Sequence, residues 1–220
     1  MRSKAEYKGR RHFIKSVAAI TTGISGMTLF PYTVSAIGNS PADDINIVGP
    51  REGYSPQLGT LVSMMNWMRA TLLRSVTGLQ QDELDYLHDS RSNTIGSMLL
   101  HLAATEVFYQ GNTFEGRNDF SDNDRKKWGI AMSLGEPARK QIKGNDLKFY
   151  LDMLGEVRMA SLAEFKKRDD KWLMEIDPSF FGGQPTNNYC KWFHVCEHES
   201  NHNGQIKWIR SRLPGAREND

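Results

Sequence analysis

The chain is poor in cysteine, in strand-like alternation and in long apolar runs, and each shortage removes a class of structure. Its two cysteines among 220 residues, Cys190 and Cys196, fall on what reads as one helix, where six positions amount to about 9 Å of rise and point to different sides. That separation forbids a bridge between them, so both are expected as buried thiols and no disulfide framework holds the fold. Alternation of apolar and polar residues at period two is nearly absent, which argues against a sheet-based core. The most apolar early stretch, 16–30, carries Thr21, Thr22, Gly23, Ser25 and Gly26, and is too short and too polar for a convincing bilayer span.

That stretch belongs to an N-terminal segment with its own logic. Arg10-Arg11-His12-Phe13-Ile14-Lys15 precedes it and Val34-Ser35-Ala36 follows it, the form of a twin-arginine export signal with a small-residue cleavage site. Residues 1–36 are therefore expected to be the signal, cleaved after Ala36, with an uncleaved N-terminal membrane anchor as the alternative. The expected location is periplasmic or otherwise extracytoplasmic, and the export machinery is an expected partner. That route carries proteins already folded, which suits one that must acquire a metal first. Removing the segment takes six of the 28 Lys and Arg and one of the 26 Asp and Glu, leaving 22 bases against 25 acids. The basic balance of the full chain thus resides in its leader, and no block of Lys and Arg interleaved with aromatics remains to receive nucleic acid. About 184 residues are left, enough for one domain with a full core.

The mature chain reads as helices. Residues 37–54, with Pro41, Gly49, Pro50 and Gly53, form a linker or packed arm. Ser55-Pro56 is a helix start, and Leu58, Leu61, Val62, Met65, Met68, Leu72, Leu73 and Val76 recur at three and four to Gly78. Asn93 or Ser92 caps a second helix through Ile95, Met98, Leu99, Leu102, Val107 and Phe108, ending near Tyr109. The Gly- and charge-rich stretch 111–145, with one short helix around 124–132, is long enough to carry the chain back and set helices two and three parallel. Asn145 or Asp146 opens a third helix that fades in the charge run 166–171, and Asn187 or Asn188 caps a fourth from Tyr189 to Arg212, stopped by Pro214-Gly215. The expectation is all-α: a four-helix bundle over 55–213 with a long crossover between helices two and three, followed by a flexible tail, 214–220. Trp128 and Trp172 are read as packing residues.

The chemistry is concentrated in the fourth helix. His194, His198 and His202 form a ladder at i, i+4, i+8, whose outer members are about 12 Å apart along the axis and cannot share one ion. Two adjacent ones can. His101 is central to the second apolar helix, whereas His12 leaves with the signal and His88 sits in a polar connection. Three imidazoles from two helices leave coordination positions for water or substrate, the pattern of a catalytic site. His198-Glu199-Ser200-Asn201-His202 also matches the zinc-peptidase spelling H-E-x-x-H. The elongated form of that motif fails, since Gly204 comes one position early and no histidine follows His202. The short form needs a distal acid, and the sole downstream candidate, Glu218, lies in the tail.

The run His194-Val195-Cys196-Glu197-His198-Glu199-Ser200-Asn201-His202-Asn203-Gly204-Gln205-Ile206 resembles the fourth-helix motif of the DinB/YfiT-like superfamily. Thr94-Ile95-Gly96-Ser97-Met98-Leu99-Leu100-His101-Leu102 is similar to its second-helix motif, and Gly78-Leu79 with Glu83-Leu84 fits the usual end of its first helix. The resemblance covers most of 55–213. It implies a four-helix bundle with a crossover that binds one divalent transition metal through His101, His198 and His202. It leaves His194 and Gln205 beside the ligands or on the substrate side. Asn203 stands where the superfamily often has Arg, which puts any anion contact at that position in doubt.

The resemblance implies a metal-dependent hydrolase or a transferase for a low-molecular-weight thiol. Because reduced thiols are scarce outside the cytoplasm, export favours the hydrolase: metal-activated water acting on a small-molecule amide, ester or similar bond. Glu199 is then the candidate general base, although its place about 100° around the helix from His198 suits it equally to holding a neighbouring helix or orienting a histidine. The alternatives are thiol S-transfer and non-catalytic binding of metal or ligand. Zn, Ni, Fe and Co all suit a three-histidine site, and a homodimer is among the expected assemblies.

Overall fold

The computed structural model of the chain describes residues 45–216; the expected export signal, the first part of the arm and the last four residues of the tail lie outside them. Four long helices form from the four apolar stripes: α1 (Pro56–Val76), α3 (Ile95–Glu115), α6 (Leu147–Phe165) and α8 (Asn188–Arg210). Short helices join them: α2 (Gln81–Leu84), then α4 (Asp122–Ser133) and α5 (Gly135–Gln141) in the crossover, and α7 (Asp170–Leu173) before α8. The only extended pairing among the described residues is a two-residue antiparallel ladder of β1 (Ile176–Asp177) with β2 (Thr186–Asn187). The fold is all-α, as the periodicity requires.

Side-chain contacts fix the helix directions. Glu106 meets Arg158 and Gln110 meets Ser161, while a Cβ on Gly96 would lie 2.5 Å from the Tyr150 hydroxyl. Positions rise together along α3 and α6, so these two helices run parallel, which only a long connection permits. Arg69 with Glu199 and Ser75 with Arg210 make α1 and α8 parallel in the same way. His101 with His198 and Thr113 with Trp192 make α3 and α8 antiparallel. Gly96 belongs to the second-helix motif, and its missing side chain is what allows α3 and α6 to approach at that level. Two apolar clusters fill the bundle, one around Leu99, Tyr150 and Ile206 and the other around Leu58, Phe165 and Trp192.

Several local readings differ from the structure, each for a physical reason. α3 runs to Glu115, beyond the expected end at Tyr109. Gly111 lies within it, with the Arg117 guanidinium packed where a Cβ would stand, and the helix ends at Gly116, whose φ of 68° supplies the left-handed cap. The crossover holds two helices rather than one, hinged where Leu134 and Gly135 both take positive φ. Ser55 does not cap α1 with its own side chain. Its hydroxyl donates to Asp170 of α7, which also accepts the N–H groups of Gln57 and Leu58, so the cap comes from far along the chain. Cys196 is buried as expected, but Cys190 is exposed in the first turn of α8. Trp128 is buried and Trp172 stacks on Phe114, consistent with packing.

Candidate metal centre

His101 projects from the middle of α3 toward α8, where His198 and His202 stand one turn apart. The three rings form a near-equilateral cluster, with centroids 5.0 Å (101–198), 5.0 Å (101–202) and 4.6 Å (198–202) apart. His101 and His202 are buried and His198 is half-buried. Nε2 of His101 lies 2.8 Å from Nε2 of His198, and one nitrogen from each of the three residues falls within 4.8 Å of the others.

The tautomers of two of these rings follow from their neighbours. His101 Nδ1 is 3.0 Å from the Ala131 carbonyl oxygen, and an oxygen that can only accept requires a proton on Nδ1. That carbonyl is free because Ala131 sits in the last turn of α4, where helix carbonyls have no partner within the helix. His202 Nδ1 is 3.1 Å from Gln205 Oε1. The amide orientation is set by Gln205 Nε2 donating to Asn201 Oδ1, so Nδ1 of His202 also donates. Both rings therefore keep a lone pair on Nε2. Burial lowers the pKa of His101, and burial together with the neighbouring imidazoles pushes His198 down to about 3 and His202 to about 4. At neutral pH the cluster presents uncharged imidazoles with their ligating nitrogens close together, as a divalent transition metal requires. The two N–H donations to oxygen supply the outer support that ligating histidines normally have.

Glu199 is elsewhere. Its side chain turns into the bundle, where one carboxylate oxygen accepts from Arg69 Nε and the other from Arg158 at 3.1 Å. Glu106 completes the group, accepting from Arg158 at 2.8 Å, from Arg69 at 3.3 Å and from Ser161 at 2.7 Å. One charge comes from each long helix, all four are at least nine-tenths buried, and the signs balance. Both oxygens of Glu199 are committed to arginines, which fits the second expectation for this residue, that it holds neighbouring helices together, and not that of a general base. Arg69, Glu106 and Arg158 were not anticipated. Their signal was present as charges at positions due for apolar residues, four after Met65, Leu102 and Leu154.

The remaining anticipated residues lie around the cluster. His194 is one turn before His198 at 5.3 Å between rings, with its Nδ1 2.9 Å from the Tyr109 hydroxyl. It also forms a second group with His198 and the exposed Glu197. Gln205 both supports His202 and lines an open groove of about 560 Å³ that includes Arg91, Asn93, Asn201 and Trp208. Asn203 is buried, and its Oδ1 has no hydrogen-bond partner among the described residues. His88 packs edge-on against Trp208, away from the cluster.

The profile of the Mycothiol-S-transferase family matches residues 60–215, which take in most of α1, the whole of α3, α6 and α8, and all three clustered histidines. The chain belongs to that family. It is a DinB-like family, whose relatives bind a metal. No curated protein matches the chain. The match covers the helix carrying His101 and the helix carrying His198 and His202, so the cluster lies within the family domain. It supports thiol transfer, the alternative expectation, over the exported hydrolase.

Proposed function

We propose that the chain is a metal-dependent S-transferase that joins a low-molecular-weight thiol to a small electrophile. The observation that carries this reading is the cluster of three uncharged imidazoles, inside a domain that the Mycothiol-S-transferase family matches over residues 60–215. His101, His198 and His202 would hold the ion, and the donor set suits Zn, Ni, Fe or Co. Once bound, a divalent cation favours the deprotonated form of a thiol at neutral pH.

The protein's own residues do the rest. Ala131 and Gln205 fix two imidazoles with Nε2 unprotonated, so the cluster is set before any ligand arrives. The Arg69, Glu106, Arg158 and Glu199 group ties α8 to the other three long helices, and each guanidinium nitrogen and carboxylate oxygen in it already has a partner. In the reaction the thiol gives up its proton to solvent, sulfur forms a bond to the electrophilic carbon, and the bond from that carbon to its leaving atom breaks with the electron pair. No carboxylate of the buried group takes a proton in this scheme. Export through the N-terminal signal, which we also propose, would place the reaction where reduced thiols are scarce.

The test is thioether formation followed by mass spectrometry, using metal-loaded protein, a bimane halide and a panel of mycothiol, glutathione, cysteine and coenzyme A. Metal-dependent product with at least one thiol, abolished in His198→Ala, is expected. Hydrolysis of amides, esters or lactones with no thioether from any thiol would replace this reading by the hydrolytic one.

A further inference from the structure

His194 has the same side chain as the clustered histidines and lies on the same ladder, but its Nδ1 faces a different kind of atom. Its partner, the Tyr109 hydroxyl at 2.9 Å, can donate, unlike the oxygens beside His101 and His202. Tyr109 is 3 % exposed, packed among Phe108, Phe180 and Trp192. Burial raises its pKa well above the ordinary phenol, so the hydroxyl keeps its hydrogen. Among the described residues that hydroxyl has one hydrogen-bond partner, His194 Nδ1. A buried O–H left without an acceptor costs about 1–3 kcal/mol, so the hydrogen goes to Nδ1. A neutral His194 must then carry its own proton on Nε2.

The ladder is thus divided by its supporting atoms. A carbonyl oxygen at Nδ1 leaves Nε2 of His101 and His202 as a lone pair, and a hydroxyl at Nδ1 makes Nε2 of His194 an N–H. An N–H does not ligate a metal. His194 sits one turn from His198, half-buried, edge-on to Phe181 at 5.2 Å between rings, and Phe181 is itself partly exposed. Its Nε2 makes no hydrogen bond to any described residue. The aromatic wall therefore offers one polar hydrogen beside the metal cluster.

Building on the transferase reading, we propose that His194 is a catalytic hydrogen-bond donor to oxygen, and that the electrophile is one whose reacting carbon passes its electrons to oxygen, an epoxide above all. Sulfur forms the new bond to carbon, the strained C–O bond breaks, and its electron pair goes to oxygen, where His194 Nε2–H stabilises the developing charge. The proton released by the thiol to solvent returns from solvent to that oxygen, so the net reaction is addition of the thiol across the ring. A neutral imidazole suffices, since it donates a hydrogen bond and gives up no proton.

Two measurements test this, one of them independent of turnover. Nitrogen-15 NMR of metal-free protein, with His194→Gln for assignment, is expected to show His194 protonated on Nε2 in the wild type and to lose that preference in Tyr109→Phe. In metal-loaded protein, rates are compared for an epoxide and an alkyl halide with the same thiol. His194→Ala should bind metal as the wild type does, yet lose on the order of 100-fold in kcat on the epoxide, as removal of one oxyanion donor does. The loss on the halide should be under about 10-fold, because a departing halide gains little from the same donor. His194→Gln, which restores an N–H donor, should recover part of the epoxide rate. A proton on Nδ1 of His194, or equal losses on both electrophiles, overturns the proposal. Transfer to the halide but never to an epoxide overturns it while leaving the transferase reading intact; transfer to neither, with metal bound, removes both.

Discussion

His198 and Glu199 are neighbours in the chain and belong to opposite kinds of buried polar cluster. Glu199 enters a group in which each carboxylate oxygen meets an arginine, and the spare guanidinium nitrogens of Arg69 and Arg158 donate to the carbonyls of Leu154 and Met65. His198 enters a group whose ring nitrogens converge on one another, with Nε2 of His198 2.8 Å from Nε2 of His101. A satisfied ion network in a low dielectric rigidifies the bundle, while converging neutral imidazoles are a donor set that suits a transition metal. The difference separates structure from chemistry within one helical turn of α8.

Removing a ligand should break that contrast most completely. His198→Ala is expected to retain no transition metal by elemental analysis and to form no thioether. With free zinc 1000-fold above its dissociation constant, the wild type should gain about 4 kcal/mol of stability that the variant does not show. Denaturant titration with and without zinc measures this directly. A variant stabilised as much as the wild type would place the metal elsewhere.

The second blow falls on the saturated cluster. Arg158→Met leaves Glu106 and Glu199 buried with fewer partners, and loss of one member of a buried ion pair costs about 3–5 kcal/mol. It should lower the denaturant midpoint far more than His198→Ala does in metal-free protein, where a cavity and lost contacts are the main costs. The pH response adds a signature. Burial alone would raise the Glu106 pKa, but Arg158 and Arg69 beside it outweigh that and hold it below the ordinary range. A folded pKa below the unfolded value of about 4.3 means that the stabilisation is present above that pH and is lost as pH falls below it. The midpoint difference between wild type and Glu106→Gln should therefore be full at pH 7 and shrink below pH 4. A difference independent of pH would mean that ionisation of Glu106 is not what stabilises the fold.

These two clusters were unequally legible. The histidines announced themselves because i, i+4 spacing puts His198 and His202 on one face, and because His101 is a polar residue inside an otherwise apolar stripe. The four long helices followed from their periodicity, and the crossover from its length. The charged group was spelled out in the same stripes, at Arg69, Glu106, Arg158 and Glu199, but periodicity counts the apolar hits and passes over each interruption. Only the bundle geometry brings together four charges from four helices. The supports of the histidines were hidden for another reason: the Ala131 partner is a backbone carbonyl, free because α4 ends there, and no side chain at position 131 reports it. Asp170 capping α1 from far along the chain is likewise a product of tertiary approach.

The smallest expected effect probes the edge of the histidine cluster. Gln205 touches His202 through one hydrogen bond, donates to the exposed Asn201 through another, and lines the open groove beside Trp208, so Gln205→Leu should leave the fold and all three ligating nitrogens in place. What it removes is the acceptor that holds the His202 proton on Nδ1. The imidazole is then free to place its proton on Nε2, and must be returned to the ligating tautomer when the metal binds. Loss of such outer support typically weakens metal binding about 10–100-fold, and a partly exposed support should fall at the lower end. Competition with a chromogenic chelator measures the shift, and Gln205→Glu, which keeps an accepting oxygen at the same place, should largely restore affinity. Equal weakening by both substitutions would show that Gln205 acts by shaping the groove and not by fixing the ring.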